Sequence, residues 1–135
     1  ALGLSQIDRL ETFVKSRNQL AKRYDGLLAH LPLVLPIQSD QCYSARHLYI
    51  IRLQLENLSL SHREVFVALR EKGLGVNLHY IPIHLQPYYK AMGFVEGDFP
   101  NAEQYYKEAI SIPLFSQMTE AEQNEVVNVL TEVLQ

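Results

Sequence analysis

Between Ser5 and His30, apolar side chains recur at steps of three and four: Ile7, Leu10, Val14, Ala21, Tyr24 and Leu28, with Arg17 the one polar member of the stripe. Those steps return to one side of a 3.6-residue turn, so the pattern predicts a single amphipathic helix over 5–30. At 1.5 Å per residue it would run about 40 Å, more than a domain of this size needs for its own core. Its outer stripe is therefore expected to pack on protein beyond this chain, or to drive self-association through Ile7, Leu10 and Val14. Pro32 and Pro36 then fence Leu33-Val34-Leu35 into a short extended segment, because proline ends helices and biases the residue before it toward β.

From Arg46 to Leu55 the period changes to two. His47, Tyr49, Ile51, Leu53 and Leu55 share one face and Leu48, Ile50, Arg52 and Gln54 the other, the signature of a strand. Ser61-His62-Arg63-Glu64 is a capping box that opens a helix through Val65, Phe66 and Leu69, and Lys72-Gly73 closes it. A strand is predicted over Val76–Tyr80. Pro87 suits the first turn of a short helix ended by Gly93, and Pro100 opens another that runs to about Ala109. Ile110-Ser111-Ile112 reads as the last strand. Thr119 and Glu122 form a second capping box, ahead of a helix whose stripe is Val126, Val127, Leu130, Val133 and Leu134. The element order predicts an α+β sandwich, a small and mainly antiparallel sheet covered by helices, as one domain: the long helix over 1–30 and the sandwich over 31–135.

Composition narrows the function classes. The 135 residues carry 12 Lys+Arg against 15 Asp+Glu, and a formal charge of −3 does not suit a phosphate-tracking nucleic-acid binder. A single cysteine, Cys42, forms no intramolecular disulfide and no four-thiolate metal site, which points to a cytoplasmic protein. Nothing resembles a membrane span or a signal peptide. The chain starts at Ala1 rather than Met, which suggests a processed or truncated product.

Candidate chemistry concentrates in Asn77–Lys90, where fourteen residues hold two of the five histidines and three of the eight tyrosines. Polar aromatic groups just after a strand, stiffened by Pro82 and Pro87, make a rigid loop suited to a polar ligand; the bland alternative is packing tyrosines and ordinary surface histidines. A zinc site on His79 and His84 with Cys42 or His47 lacks a second closely spaced ligand pair. A Cys42 nucleophile with a histidine base is open at this point, against the commoner role of a lone cysteine as a small buried hydrophobe. Arg46 and Arg52 flank the strand at His47 and Tyr49 as candidate anion contacts, against the commoner reading as solvated strand-end charges. There is no G-x-G-x-x-G or phosphate-loop motif.

The runs ALGLSQIDRLETFVKSR, RHLYIIRL, LREKGLGVNLHYIPIHLQPYY, GDFPNAEQYYKEAISIPLF and MTEAEQNEVVNVL together resemble the C-terminal domain of the DegT/StrS-type sugar-nucleotide aminotransferases, which are fold-type-I enzymes using pyridoxal phosphate. The nearest likeness is to the branch that aminates the 4-keto sugar of a UDP-linked N-acetylhexosamine in pseudaminic acid biosynthesis. The resemblance implies that a large N-terminal domain, with the Schiff-base lysine, lies outside this chain. None of Lys15, Lys22, Lys72, Lys90 and Lys107 stands in the family's lysine motif, so no catalytic residue and no bound pyridoxal phosphate are expected here. Carried over residue by residue, the family motif places His79, Tyr80 and His84, with Tyr88 next, in the substrate pocket. Their implied role is to hold sugar or phosphate oxygens from an exposed loop. The implied partners are a nucleotide sugar, an amino-acid donor and a second copy in a homodimer. The alternative is a free-standing α+β binding module without catalysis.

Overall fold

The computed structural model describes residues 2–135. Its first departure from expectation lies in the long helix, which is broken: α1 covers Leu2–Ile7 and α2 covers Leu10–Leu27. At the break the Arg9 N–H turns back to Gln6 O at 3.1 Å, a three-residue closure in place of the helical four. Leu4, Ile7 and Leu10 are all exposed, so no core contact within the chain holds the first turns in line with the rest. Val14 is half-buried, and only from Leu20 onward does α2 bury its stripe, through Leu20, Ala21 and Tyr24.

Four strands follow: β1 (Leu33–Val34), β2 (Tyr49–Leu53), β3 (Asn77–Leu78) and β4 (Ala109–Ile112), in the spatial order β1-β2-β4-β3 with every neighbour antiparallel. They are shorter than predicted. Arg46, at φ 48°, interrupts the extended chain ahead of β2, leaving His47 exposed and outside the sheet. Leu55 enters a 3₁₀ turn, so it is lost from the other end. Val76 is buried, but its N–H closes on Leu74 O at 2.9 Å and does not join the ladder. The facing of β2 is as expected, with Tyr49, Ile51 and Leu53 buried and Ile50 and Arg52 half-buried on the opposite side.

On the inner face, α2, α3 (His62–Glu71) and α6 (Glu120–Leu134) pack against Tyr49, Ile51, Leu53, Ile110 and Ile112. Both predicted capping boxes are present, Ser61 with Glu64 and Thr119 with Glu122. Helix α3 stops as its last residues predict: Gly73 takes φ 83°, its N–H bonds Arg70 O, and the Leu74 N–H reaches back to Leu69 O at 3.0 Å. The outer face is covered by α5 (Pro100–Glu108), with the short α4 (Pro87–Ala91) beyond it. All four residues of β4 are therefore buried, Ile110 and Ile112 in the core and Ala109 and Ser111 beneath α5.

Candidate functional site

The segment rich in histidine and tyrosine leaves the sheet at its edge, since β3 is the outermost strand. A 3₁₀ turn at Ile83–Leu85 and a hydrogen bond from Gln86 Nε2 to Ile81 O at 3.3 Å shape it before Pro87 starts α4. Tyr80 is 95% exposed and Tyr88 is 71% exposed, so both phenols are displayed. The Tyr88 ring stands edge-on to Tyr89 with centroids 5.3 Å apart.

His79 is held from below. Its Nε2 lies 3.0 Å from Ser111 Oγ on β4, and its ring meets Tyr105 of α5 edge-on at 5.6 Å. Partial burial pulls its pKa below the ordinary value of 6.5, because desolvation penalises the imidazolium. The shift favours the neutral ring, with one N–H and one lone pair.

His84 overturns the expectation of an exposed loop side chain. It is 7% exposed, its Nε2 lies 2.8 Å from Glu103 Oε1, and its ring packs on Phe99 at 4.8 Å. The physical reason is the 3₁₀ turn, which rolls His84 inward while leaving Ile83 outside. Glu103, on the first turn of α5, also accepts the Gly97 N–H at 2.8 Å. That bond first, and then those from His84 and the Phe99 N–H, hold its carboxyl below the usual carboxylate range. Above this pair lies an aromatic cavity of about 420 Å³, lined by Pro82, Ile83, His84, Tyr89, Phe94 and Phe99.

The other candidates go elsewhere. Arg52 Nε is committed to Glu108 Oε2 at 2.9 Å, with Gln104 on the same carboxylate, so it is not free to take an anion. Cys42, expected as a buried hydrophobe, is exposed in the β1–β2 loop. The histidine nitrogens with hydrogen bonds meet Ala109 O, Ser111 and Glu103, and none meets the thiol. Among the described residues no three His, Cys, Asp or Glu side chains gather as metal ligands. Nor is any helix long and apolar enough to cross a membrane.

Glu103, Gly97, Ser111 and Tyr105 are the site residues that sequence reading missed. Glu103 lies nineteen residues from His84, beyond any periodicity, and its one local mark is an acidic group in the first turn of a helix.

The five lysines test whether this chain could anchor pyridoxal phosphate. All are exposed; Lys72 pairs with Glu132 and Lys107 with Glu96. Lys15, Lys22 and Lys107 border open surface pockets, but none of the five lysines is buried, so these residues do not fit a Schiff-base site.

Comparison with known proteins is decisive on ancestry. The family model for the DegT/DnrJ/EryC1/StrS aminotransferases matches residues 1–131. The chain belongs to this family. Spore coat polysaccharide biosynthesis protein SpsC of Bacillus subtilis (strain 168) is 34% identical over 137 residues, which is 99% of this chain and 35% of the relative. A putative sugar aminotransferase of Streptococcus pneumoniae, Spr1654 in its PMP form, superposes with a TM-score of 0.85 at 29% identity, over 98% of this chain and 33% of that one. Helicobacter pylori PseC, an aminotransferase involved in the biosynthesis of pseudoaminic acid, has the same fold, with a TM-score of 0.86 at 23% identity over 98% of this chain and 36% of its own. This α+β unit thus spans about a third of the length of the family members it matches.

Proposed function

We propose that this chain is the C-terminal, substrate-side domain of an aminotransferase that uses pyridoxal phosphate to transfer an amino group onto a keto sugar of a nucleotide-linked sugar, for cell-surface polysaccharide or glycan synthesis. The family match across residues 1–131 carries this reading. The relative named for spore coat polysaccharide biosynthesis and the solved sugar aminotransferase support the substrate class. Within that class, the 4-keto sugar of a UDP-linked N-acetylhexosamine, the kind used in pseudaminic acid synthesis, is the first substrate to test.

The chain's part is to bind and orient. The exposed Tyr80 and Tyr88 hydroxyls donate to and accept from sugar or phosphate oxygens, and the neutral His79 ring adds a donor and an acceptor beside them. His84 contributes from the wall of the aromatic cavity. The cofactor's lysine and the proton transfers belong to protein outside this chain, the chain alone is inert, and an amino acid is the donor. Leu4, Ile7 and Leu10, exposed here, pack against the remainder of a homodimeric cytoplasmic enzyme.

The test is amino transfer by the whole protein, followed by mass spectrometry of the nucleotide sugar across a panel of keto sugars and amino donors. Conversion of at least one nucleotide-linked keto sugar to the amine is expected. Conversion of free keto acids only, with every nucleotide sugar untouched, contradicts the reading. A chain that binds nucleotide sugar with no catalytic domain encoded alongside it is the free-standing module instead.

A further inference from the structure

Two ionisable groups lie buried together beneath the aromatic loop, where neither serves the hydrophobic core. Glu103 and His84 are each under one-tenth exposed, and buried polar groups of this kind call for a reason. A carboxylate only accepts hydrogen bonds, so the 2.8 Å contact to Glu103 Oε1 requires the proton on His84 Nε2. This holds for the neutral ring and for the imidazolium alike. Nδ1 has no hydrogen-bond partner among the described residues. The same carboxylate oxygen takes the Gly97 N–H, so one atom on α5 ties together the segment carrying His84 and the turn before Phe99. Pro82, Ile83 and His84 of the first segment, and Phe94 and Phe99 on either side of that turn, line the 420 Å³ cavity together with Tyr89 and Ala102.

We propose that Glu103 is a positioning residue of the substrate site: it fixes His84 with Nε2 as donor, joins the two walls of the aromatic cavity, and leaves Nδ1 as the ring nitrogen that meets a polar group of the nucleotide sugar. The proposal rests on the functional reading above. Glu103 touches neither substrate nor reacting atoms and acts through His84.

Two measurements test it. In the 135-residue chain labelled at histidine ring nitrogens, the ¹⁵N spectrum is expected to show a proton held on His84 Nε2 throughout a pH titration, so that the neutral ring is the Nε2–H tautomer, a state that Glu103→Ala releases into tautomer exchange. A neutral wild-type ring protonated on Nδ1 and bare at Nε2 overturns the proposal without need of any variant. In the whole enzyme, Glu103→Ala is expected to raise KM for the UDP-linked 4-keto sugar about tenfold, the scale of one lost hydrogen bond, with KM for the amino donor within about twofold of wild type. Glu103→Gln keeps an acceptor oxygen for His84 and Gly97 and is expected to recover most of the loss. Equal rises in both KM values, or no rise in either while the wild type aminates the sugar, refute the positioning role and leave the functional reading intact. A wild type that aminates no nucleotide sugar overturns that reading, and the proposal with it.

Discussion

Gln123 is fully buried and links α6 to α2 by two side-chain hydrogen bonds. Its Nε2 donates to Leu20 O at 2.7 Å, and Arg23 Nη1 donates to its Oε1 at 2.9 Å. Gln123→Ala removes both and leaves a void where the side-chain stem packed. The neutral bond contributes about 1 kcal/mol, and the charged one about 1.5 kcal/mol because Arg23 is only half-buried. The one buried methylene removed, Cγ, contributes about 0.8 kcal/mol, since alanine keeps Cβ. Leu20 O retains its helical partner and Arg23 turns to water, so no further penalty for an orphaned group applies. The expected loss is about 3–4 kcal/mol, or roughly 10–14 °C in Tm for a domain of this length. Urea unfolding followed by far-ultraviolet circular dichroism gives the free energy. A cycle with Arg23→Ala is expected to return a coupling of about 1 kcal/mol. A loss below about 1 kcal/mol with no coupling would mean that the clasp does not hold α2 to α6 and that the core residues suffice.

His84→Ala is expected to lower Tm by several degrees in thermal melts, whereas Tyr80→Ala, at a 95% exposed residue, shifts stability within about 0.5 kcal/mol; equal effects would refute the inward placement of His84. Glu64, Glu103 and Glu122 all have carboxyl pKa values below the ordinary 4.5, each chiefly from hydrogen bonds that favour the anion. Their stabilisation is present above pH 4.5 and lost as pH falls through the lowered folded values, so the carboxyl share of the urea midpoint should be level above about pH 5 and drop below 4.5; a flat profile from pH 5 down to pH 3 contradicts the caps and the Glu103 bonds. His79, with its pKa drawn below 6.5, adds a smaller loss in the same direction as pH falls below 6.5, and His79→Gln should abolish that step. Borohydride reduction of this chain after mixing with pyridoxal phosphate should modify its five exposed lysines without preference, and stoichiometric capture of one at low cofactor would reveal a site the geometry lacks.

What was legible in the sequence was local. The capping boxes at Ser61 and Thr119 and the stop at Gly73 are written within four or five residues, and each formed as read. The facing of Tyr49, Ile51 and Leu53 followed from period two, because a half-buried strand admits no other register. Strand lengths were not legible, since the positive φ of Arg46 and the turn at Leu55 answer to neighbouring chain rather than to alternation. The helix break at Asp8-Arg9 escaped notice because the stripe runs through it unbroken; periodicity shows which face is apolar but not whether a partner is there to hold it. At the site, the loop and its tyrosines were evident from residue density. The burial of His84 was not, because its partner Glu103 comes from the far end of another loop and a different helix.

The most direct test of the central claim, that the segment from His79 to Tyr89 walls a nucleotide-sugar site, is photocrosslinking in the whole protein. A benzophenone amino acid replaces Tyr80, irradiation follows in the presence of UDP–N-acetylglucosamine, and the intact mass is read. A single adduct of the nucleotide sugar at position 80, competed away by excess UDP and absent when the same probe replaces the exposed Glu132 on α6, is the expected result. No adduct at position 80, in a protein that aminates nucleotide sugars, would place the substrate elsewhere and contradict the role assigned to this loop.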